Sequence, residues 1–269
     1  MSLDRFSLNH ATTKYWPLDE AVAGCASAGV HGIGLWREEV AAFGLELCAG
    51  LVEQAGLRVT SLCRGGFFAD DGWFDDNLRA IEEAATLGAP VLVLVSGGLP
   101  PGSRDLDGAR ERVAEALDAL VPYAVDAGVT LGLEPLHPMY CADRCVVSTL
   151  GQALDLAERF PPRAVGVVVD TYHLWWDDQV WGQIARAGRG GRIACFQVAD
   201  WVTPLPAGVL LGRGLPGTGC VQLRRFREAV DAAGYTGPVE VEVFHAEVWA
   251  RPGTDVLAES IAGYLEHVA

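Results

Sequence analysis

Val165-Gly-Val-Val-Val-Asp170-Thr-Tyr-His173 is an apolar, β-branched run that stops abruptly on an acid. A strand apolar on both faces belongs to a parallel sheet covered by helices, because a half-solvated strand would alternate. The same design recurs nearby. Upstream stands Leu131-Gly-Leu-Glu134-Pro-Leu-His137; downstream stand Ala194-Cys-Phe-Gln197-Val-Ala-Asp200 and Glu240-Val-Glu242-Val-Phe-His245. Between these runs lie stretches with helical periodicity, over residues 150–160, 179–187 and 223–233.

Extended to the N-terminus, the alternation gives eight strand-plus-helix units. Strands are expected at 6–11, 32–36, 58–63, 90–95, 129–134, 165–170, 192–198 and 239–244. The other helices are expected at 18–28, 40–55, 74–87, 106–126 and 256–268. Gly29, Gly56, Gly88, Gly128 and Gly234 each follow a helical pattern, as a left-handed C-terminal cap requires. Thr149 and Asp255 precede helices as N-caps. Eight units in 269 residues average about 34 each, the spacing of a single-domain (β/α)8, or TIM, barrel. A doubly wound open sheet would place a glycine-rich dinucleotide turn after the first strand. Asn9-His10-Ala11-Thr12-Thr13 is no such turn.

Composition narrows the function. The net charge of −15, with no basic stripe, argues against nucleic acid as a partner. No apolar run is long enough to span a membrane, and the first ten residues lack the apolar region of a secretory leader. The seven cysteines, odd in number and partly inside apolar runs, fit a reducing, cytoplasmic compartment. Lys14 is the only lysine, which disfavours Schiff-base chemistry. A homo-oligomer remains open.

In such a barrel the C-terminal strand ends face the active site. Glu134, Asp170, Gln197 and Glu242 each stand directly after an apolar strand core. Three converging carboxylates repel one another, and a divalent cation resolves that repulsion. An all-oxygen set of Glu134, Asp170, Gln197 and Glu242 favours Mn²⁺ or Mg²⁺ over zinc. The alternative is that Glu134 and Asp170 form structural ion pairs at the rim. His173, His137, Arg37 and Arg213 also lie beyond strand ends, where they can hold substrate oxygens. Trp36, Trp175, Trp176 and Trp201 follow strand ends at the same face and either wall a sugar pocket or pack under the loops. Residues 212–219 read equally as a phosphate cradle or a lid. Glu240, two residues before Glu242, is expected to be at the surface or in an ion pair.

Glu134-Pro-Leu, Asp170-Thr-Tyr-His173, Phe196-Gln-Val-Ala-Asp200, Arg213-Gly-Leu-Pro216-Gly-Thr-Gly219 and the run from Tyr235 through Glu242 resemble the xylose-isomerase-like sugar isomerases and epimerases. The resemblance implies one metal held by Glu, Asp, His and Glu from successive strands. Glu134, Asp170 and Glu242 match that set, and Gln197 stands where the His would be. It further implies a carbohydrate substrate, with Glu134 and Glu242 removing and returning a proton next to a carbonyl. His173 and Arg213 would hold substrate oxygens. A lyase or dehydratase begins with the same proton abstraction and is the main alternative. An endonuclease-type barrel would need clustered histidines and a basic groove; six scattered histidines at a charge of −15 argue against it. A sugar-binding protein without catalysis is suggested only by Gln197.

Overall fold

The computed structural model describes residues 2–205 and 209–269. Eight parallel strands close into a barrel in the order β1-β10-β7-β6-β5-β4-β3-β2. These strands are β1 Phe6–Asn9, β2 Gly32–Trp36, β3 Arg58–Gly66, β4 Val91–Val95, β5 Thr130–Leu133, β6 Val165–Asp170, β7 Ile193–Val198 and β10 Val239–Val241. The remaining two, β8 Asp200–Trp201 and β9 Arg213–Gly214, pair antiparallel over the mouth.

Apolar residues on alternate strand positions pack outward against the helices. The interior is divided by chemistry. One side is an apolar plug of Cys63, Val91, Val93, Val168 and Cys195. The other side is polar, and its centre is Glu240, fully buried. Ser61 Oγ (2.9 Å), Thr60 Oγ1 (2.6 Å), Asn9 Nδ2 (2.8 Å) and Gln197 Nε2 (2.9 Å) all donate to its carboxylate. Glu240 is therefore neither superficial nor ion-paired, contrary to the sequence expectation. A buried carboxyl group is tolerated there because four donors from three other strands meet it. Gly34 makes the room: a Cβ at that position would lie 2.5 Å from Glu240 Cδ.

Most element boundaries match the sequence pattern, and all five helix-ending glycines take positive φ. Thr149 caps its helix, its Oγ1 accepting from Gln152 N at 3.2 Å. The helix expected over 40–55 is instead two, α2 Arg37–Phe43 and α3 Leu45–Gln54, broken where Gly44 adopts φ 104°. Asp255 is not a cap. The last helix starts at Gly253, after Pro252, so Asp255 falls in its first turn. The eighth strand ends before Glu242, though Glu242 N still donates to Val198 O at 3.1 Å.

Gly66 is under the tightest backbone constraint. Its φ is 102°, and a Cβ there would overlap the carbonyl oxygen of Val95. Asn77 clamps it, Oδ1 accepting from Gly66 N at 2.6 Å. Gly66→Ala is expected to cost at least about 1–3 kcal/mol from conformation alone. A chemical-denaturation midpoint equal to wild type would contradict that reading.

Candidate active site

A cavity of about 350 Å³ opens at the C-terminal ends of the strands. Parallel strands with helical crossovers direct all eight of these ends to one mouth, so residues remote in sequence converge. Glu134 follows β5, Asp170 ends β6, Glu242 follows β10, and all three are buried. Glu134 is held by its own backbone, whose N–H donates to Leu94 O at 3.0 Å. Asp170 caps the short helix α7 Thr171–Leu174 by accepting from Tyr172 N at 2.7 Å, which carries His173 back over the cavity.

Arg213 ties two of the acids together. Its Nη1 lies 3.1 Å from Asp170 Oδ2 and 2.9 Å from Glu242 Oε2. One guanidinium does not balance three carboxylates. Burial, then the charges of Asp170 and Glu242, pushes the Glu134 carboxyl well above the ordinary range. Burial likewise raises Asp170 against the pull of Arg213. Burial also pushes Glu242 up to about 7, again opposed by Arg213. Among the described residues, Glu134 Oε1 and Gln197 Oε1 are buried oxygens without a hydrogen-bond donor. Excess negative charge beside orphaned acceptor oxygens is what a divalent cation satisfies.

Gln197 ends on the same face, level with Asp170 in register. Its amide nitrogen donates to Glu240 Oε1 at 2.9 Å and to Glu242 Oε1 at 3.4 Å. That assignment follows from chemistry, since the opposite amide orientation would set Oε1 against two carboxylates. Oε1 is thereby turned away from them, without a partner.

Ligand atoms of Glu134, Asp170 and His173 lie within 4.8 Å of one another. The His173 ring has a different preference, however. Its two nitrogens both face donors, His137 N at 3.1 Å from Nδ1 and Arg213 Nη2 at 3.1 Å from Nε2. Burial, then Arg213, holds its pKa well below the ordinary value, so the ring is neutral. A neutral ring accepts at only one nitrogen, so one of the two donors is left unanswered. An oxygen acceptor brought to the pair relieves it.

Several predicted residues stand elsewhere. Arg37 does not reach this cavity. Its guanidinium binds Glu83 (2.5 Å) and Asp76 (2.9 Å) on the helix α4 Trp73–Thr86, joining α2 to α4. A substrate role for Arg37 is accordingly replaced by a structural one. His137 stacks on Trp201 with centroids 5.1 Å apart, and Trp176 Nε1 donates to His173 O at 2.7 Å. Both lie outside the cavity wall and back His173 from behind. Trp201 and Trp175 pack against each other, whereas Trp36 does line the cavity, with Nε1 donating to Asn9 Oδ1 at 3.0 Å. Phe244 and Trp249 complete the aromatic wall. Neither was expected from sequence, although Phe244 obeys the same strand-end rule.

The 212–219 loop is pinned, not a phosphate cradle. Gly217 N donates to Asp200 Oδ2 at 3.0 Å and Val221 N, just beyond the loop, to Oδ1 at 2.9 Å, so an acid occupies the place next to Gly217 that an anion would take.

A closed barrel with buried acids gathered at its C-terminal mouth defines a class of proteins that place acid–base groups around a small polar ligand. The chain belongs to the xylose isomerase-like TIM barrel family, whose profile matches residues 22–266. It is similar to the crystal structure of protein SMc04130 from Sinorhizobium meliloti 1021, at 44% identity and a TM-score of 0.96, with 99% of each chain covered. It is 30% identical over 139 residues to an inosose isomerase of Bacillus velezensis, covering 51% of this chain and 47% of that protein. It is 32% identical over 166 residues to a 3-dehydroshikimate dehydratase of Pseudomonas aeruginosa, covering 60% of this chain and 24% of that one. These matches thus span less than half the length of either relative. No described helix is long and apolar enough to cross a membrane.

Proposed function

We propose that this protein is a divalent-metal-dependent isomerase or epimerase of a sugar, keto-sugar or polyol, acting by proton transfer next to a carbonyl. The observation that carries the reading is buried Glu134, whose Oε1 has no donor among the described residues, whose carboxyl is pushed up by burial and by the charges of Asp170 and Glu242, and whose ligand atoms lie within 4.8 Å of those of Asp170 and His173. Glu134, Asp170, Gln197 and Glu242 would hold the ion, Mn²⁺ or Mg²⁺ by the hardness of their oxygens. Bound there, such an ion supplies Lewis acidity toward charge that develops on substrate oxygens.

The chain's own groups do the rest. Glu242, buried against Arg213 on the β10 side of the cavity, is one acid–base group that can take and return a proton. Glu134 is the second acid–base group, from the β5 side of the cavity. His173 and Arg213 donate to substrate oxygens. The walls of Trp36, Phe244 and Trp249 exclude water and pack on sugar C–H faces. All seven cysteines are free, which fits a cytoplasmic enzyme.

Deuterium exchange from solvent into a panel of ketoses, with and without Mn²⁺, tests this reading. Metal-dependent exchange supports it; no exchange with any member refutes it. A dehydratase is the second reading, favoured by the similarity to the dehydratase above. It begins with the same abstraction but lowers the product mass by one water.

Gln197→His tests the ligand set. Imidazole nitrogen is softer than an amide oxygen, so the variant is expected to shift preference toward Zn²⁺ or Co²⁺ in metal titrations. Identical metal rankings in the two proteins would mean Gln197 is not a ligand.

A further inference from the structure

Nine of the 19 arginines form an ion pair among the described residues. Arg5, Arg37, Arg186, Arg213, Arg227 and Arg251 are among them. Two that line the active-site cavity do not. Arg64, directly after Cys63 in β3, and Arg144, in the loop between β5 and α6 (Leu150–Ala157), are each half-buried. Neither guanidinium has a carboxylate within ion-pairing distance among the described residues, nor does either donate a hydrogen bond there. The Arg64 guanidinium lies only 4.0 Å from the Phe67 ring centroid. Burial lowers its pKa; Glu38, which lines the same cavity, pulls it up, and the positive charge of Arg144 pushes it down by less. Two like charges are thus held near each other and partly desolvated, an arrangement that costs free energy until an anion arrives.

The holding is firm. Arg144 N donates to Tyr140 O at 2.9 Å, and Val146 N donates to Gly97 O at 3.0 Å. Between them, buried Cys145 sits 3.3 Å from Ser96 Oγ. The Arg144 backbone is therefore preorganised and not a loose loop tip.

We propose that the substrate is an anion: a keto-sugar or keto-polyol whose carbonyl end lies among Glu134, Asp170 and Glu242 and whose far end carries an oxyanion group held by Arg64 and Arg144. The inference rests on the proposed function and deepens it. Guanidinium forks suit both carboxylate and phosphate, so the chemistry on the page is the oxyanion. It also explains how a chain of net charge −15 admits an anion: the attraction is local, at the cavity wall.

Calorimetry on the Mn²⁺-loaded protein with D-fructose, D-fructose 6-phosphate and D-fructuronate tests the inference. These three share a ketose frame and differ at the far end as neutral, phosphate and carboxylate. At least one anion is expected to bind about tenfold or more tightly than fructose, and the preferred arm identifies the group. Arg64→Ala and Arg144→Ala are each expected to weaken that binding about 10- to 100-fold, with Arg64→Lys recovering part of the loss. Anions bound no more tightly than fructose, or anion affinity unchanged in both alanine variants, would overturn it. Deuterium exchange on the same samples keeps the two readings separate. Anion-selective binding without exchange supports this inference and removes the proton-transfer reading; exchange without anion preference does the reverse.

Discussion

Glu242→Gln is expected to lower turnover about 10²–10⁴-fold while the barrel stays folded, the usual consequence of losing a positioned acid–base group. The amide keeps the size of the side chain but has no basic oxygen near neutral pKa. It also loses one acceptor in a pocket of donors, where Asn9 Nδ2 (3.0 Å), Gln197 Nε2 (3.4 Å) and Arg213 Nη1 (2.9 Å) all point at the carboxylate. Stability should move differently. Because burial raises the Glu242 pKa to about 7, its charge is a cost to the folded state above that pH. Removing that charge should leave the denaturation midpoint at pH 8 unchanged or higher. Glu134→Gln is expected to behave alike, since burial and its acidic neighbours raise that group as well. Steady-state kinetics beside denaturation curves check both variants. Near-normal kcat/KM in either would show that its proton-transfer role is misassigned.

Chelation is expected to abolish turnover, and cation affinity is expected to climb as pH rises from 5 to 8. Glu134, Asp170 and Glu242 all have raised folded-state pKa values. A raised carboxyl stabilises the ion-free fold while protonated, and that contribution is lost as pH rises from the ordinary carboxylate range through the folded value, about 7 for Glu242. A cation requires the same groups ionised, so below about pH 7 its binding must release protons. Apparent affinity then rises up to about tenfold per pH unit for each proton displaced. Thermal melts with and without Mn²⁺ at pH 5 and pH 8 check the sign. The ion should raise Tm most at pH 8; a larger effect at pH 5 would mean these carboxylates do not hold it.

Local chemistry was enough to read the architecture. Strand and helix signals alternate eight times, five of the helices end on a glycine, and each signal spans only a few residues. The strand-end acids follow the same logic. A parallel strand fixes the end of the barrel where its last residue lies, and its two-residue period fixes the face, so Glu134, Asp170, Gln197 and Glu242 could be named from position alone. Which partner meets each charge is a different kind of fact. Glu240 shares the inward face with Glu242, yet its place in the core depends on donors from β1, β3 and β7 and on the space at Gly34. Arg37 looks like a mouth residue by position, but Asp76 and Glu83 come from a helix packed beside it and draw it away. Asp200 takes the Gly217 N–H of a loop that reads as an anion cradle or a lid, and the Val221 N–H beyond it. Arg64 and Arg144 differ from the chain's paired arginines only in what surrounds them. Each case turns on distances of a few ångströms between residues tens or hundreds of positions apart. Coulomb and hydrogen-bond energies change from decisive to negligible over those distances, so only the tertiary structure decides them.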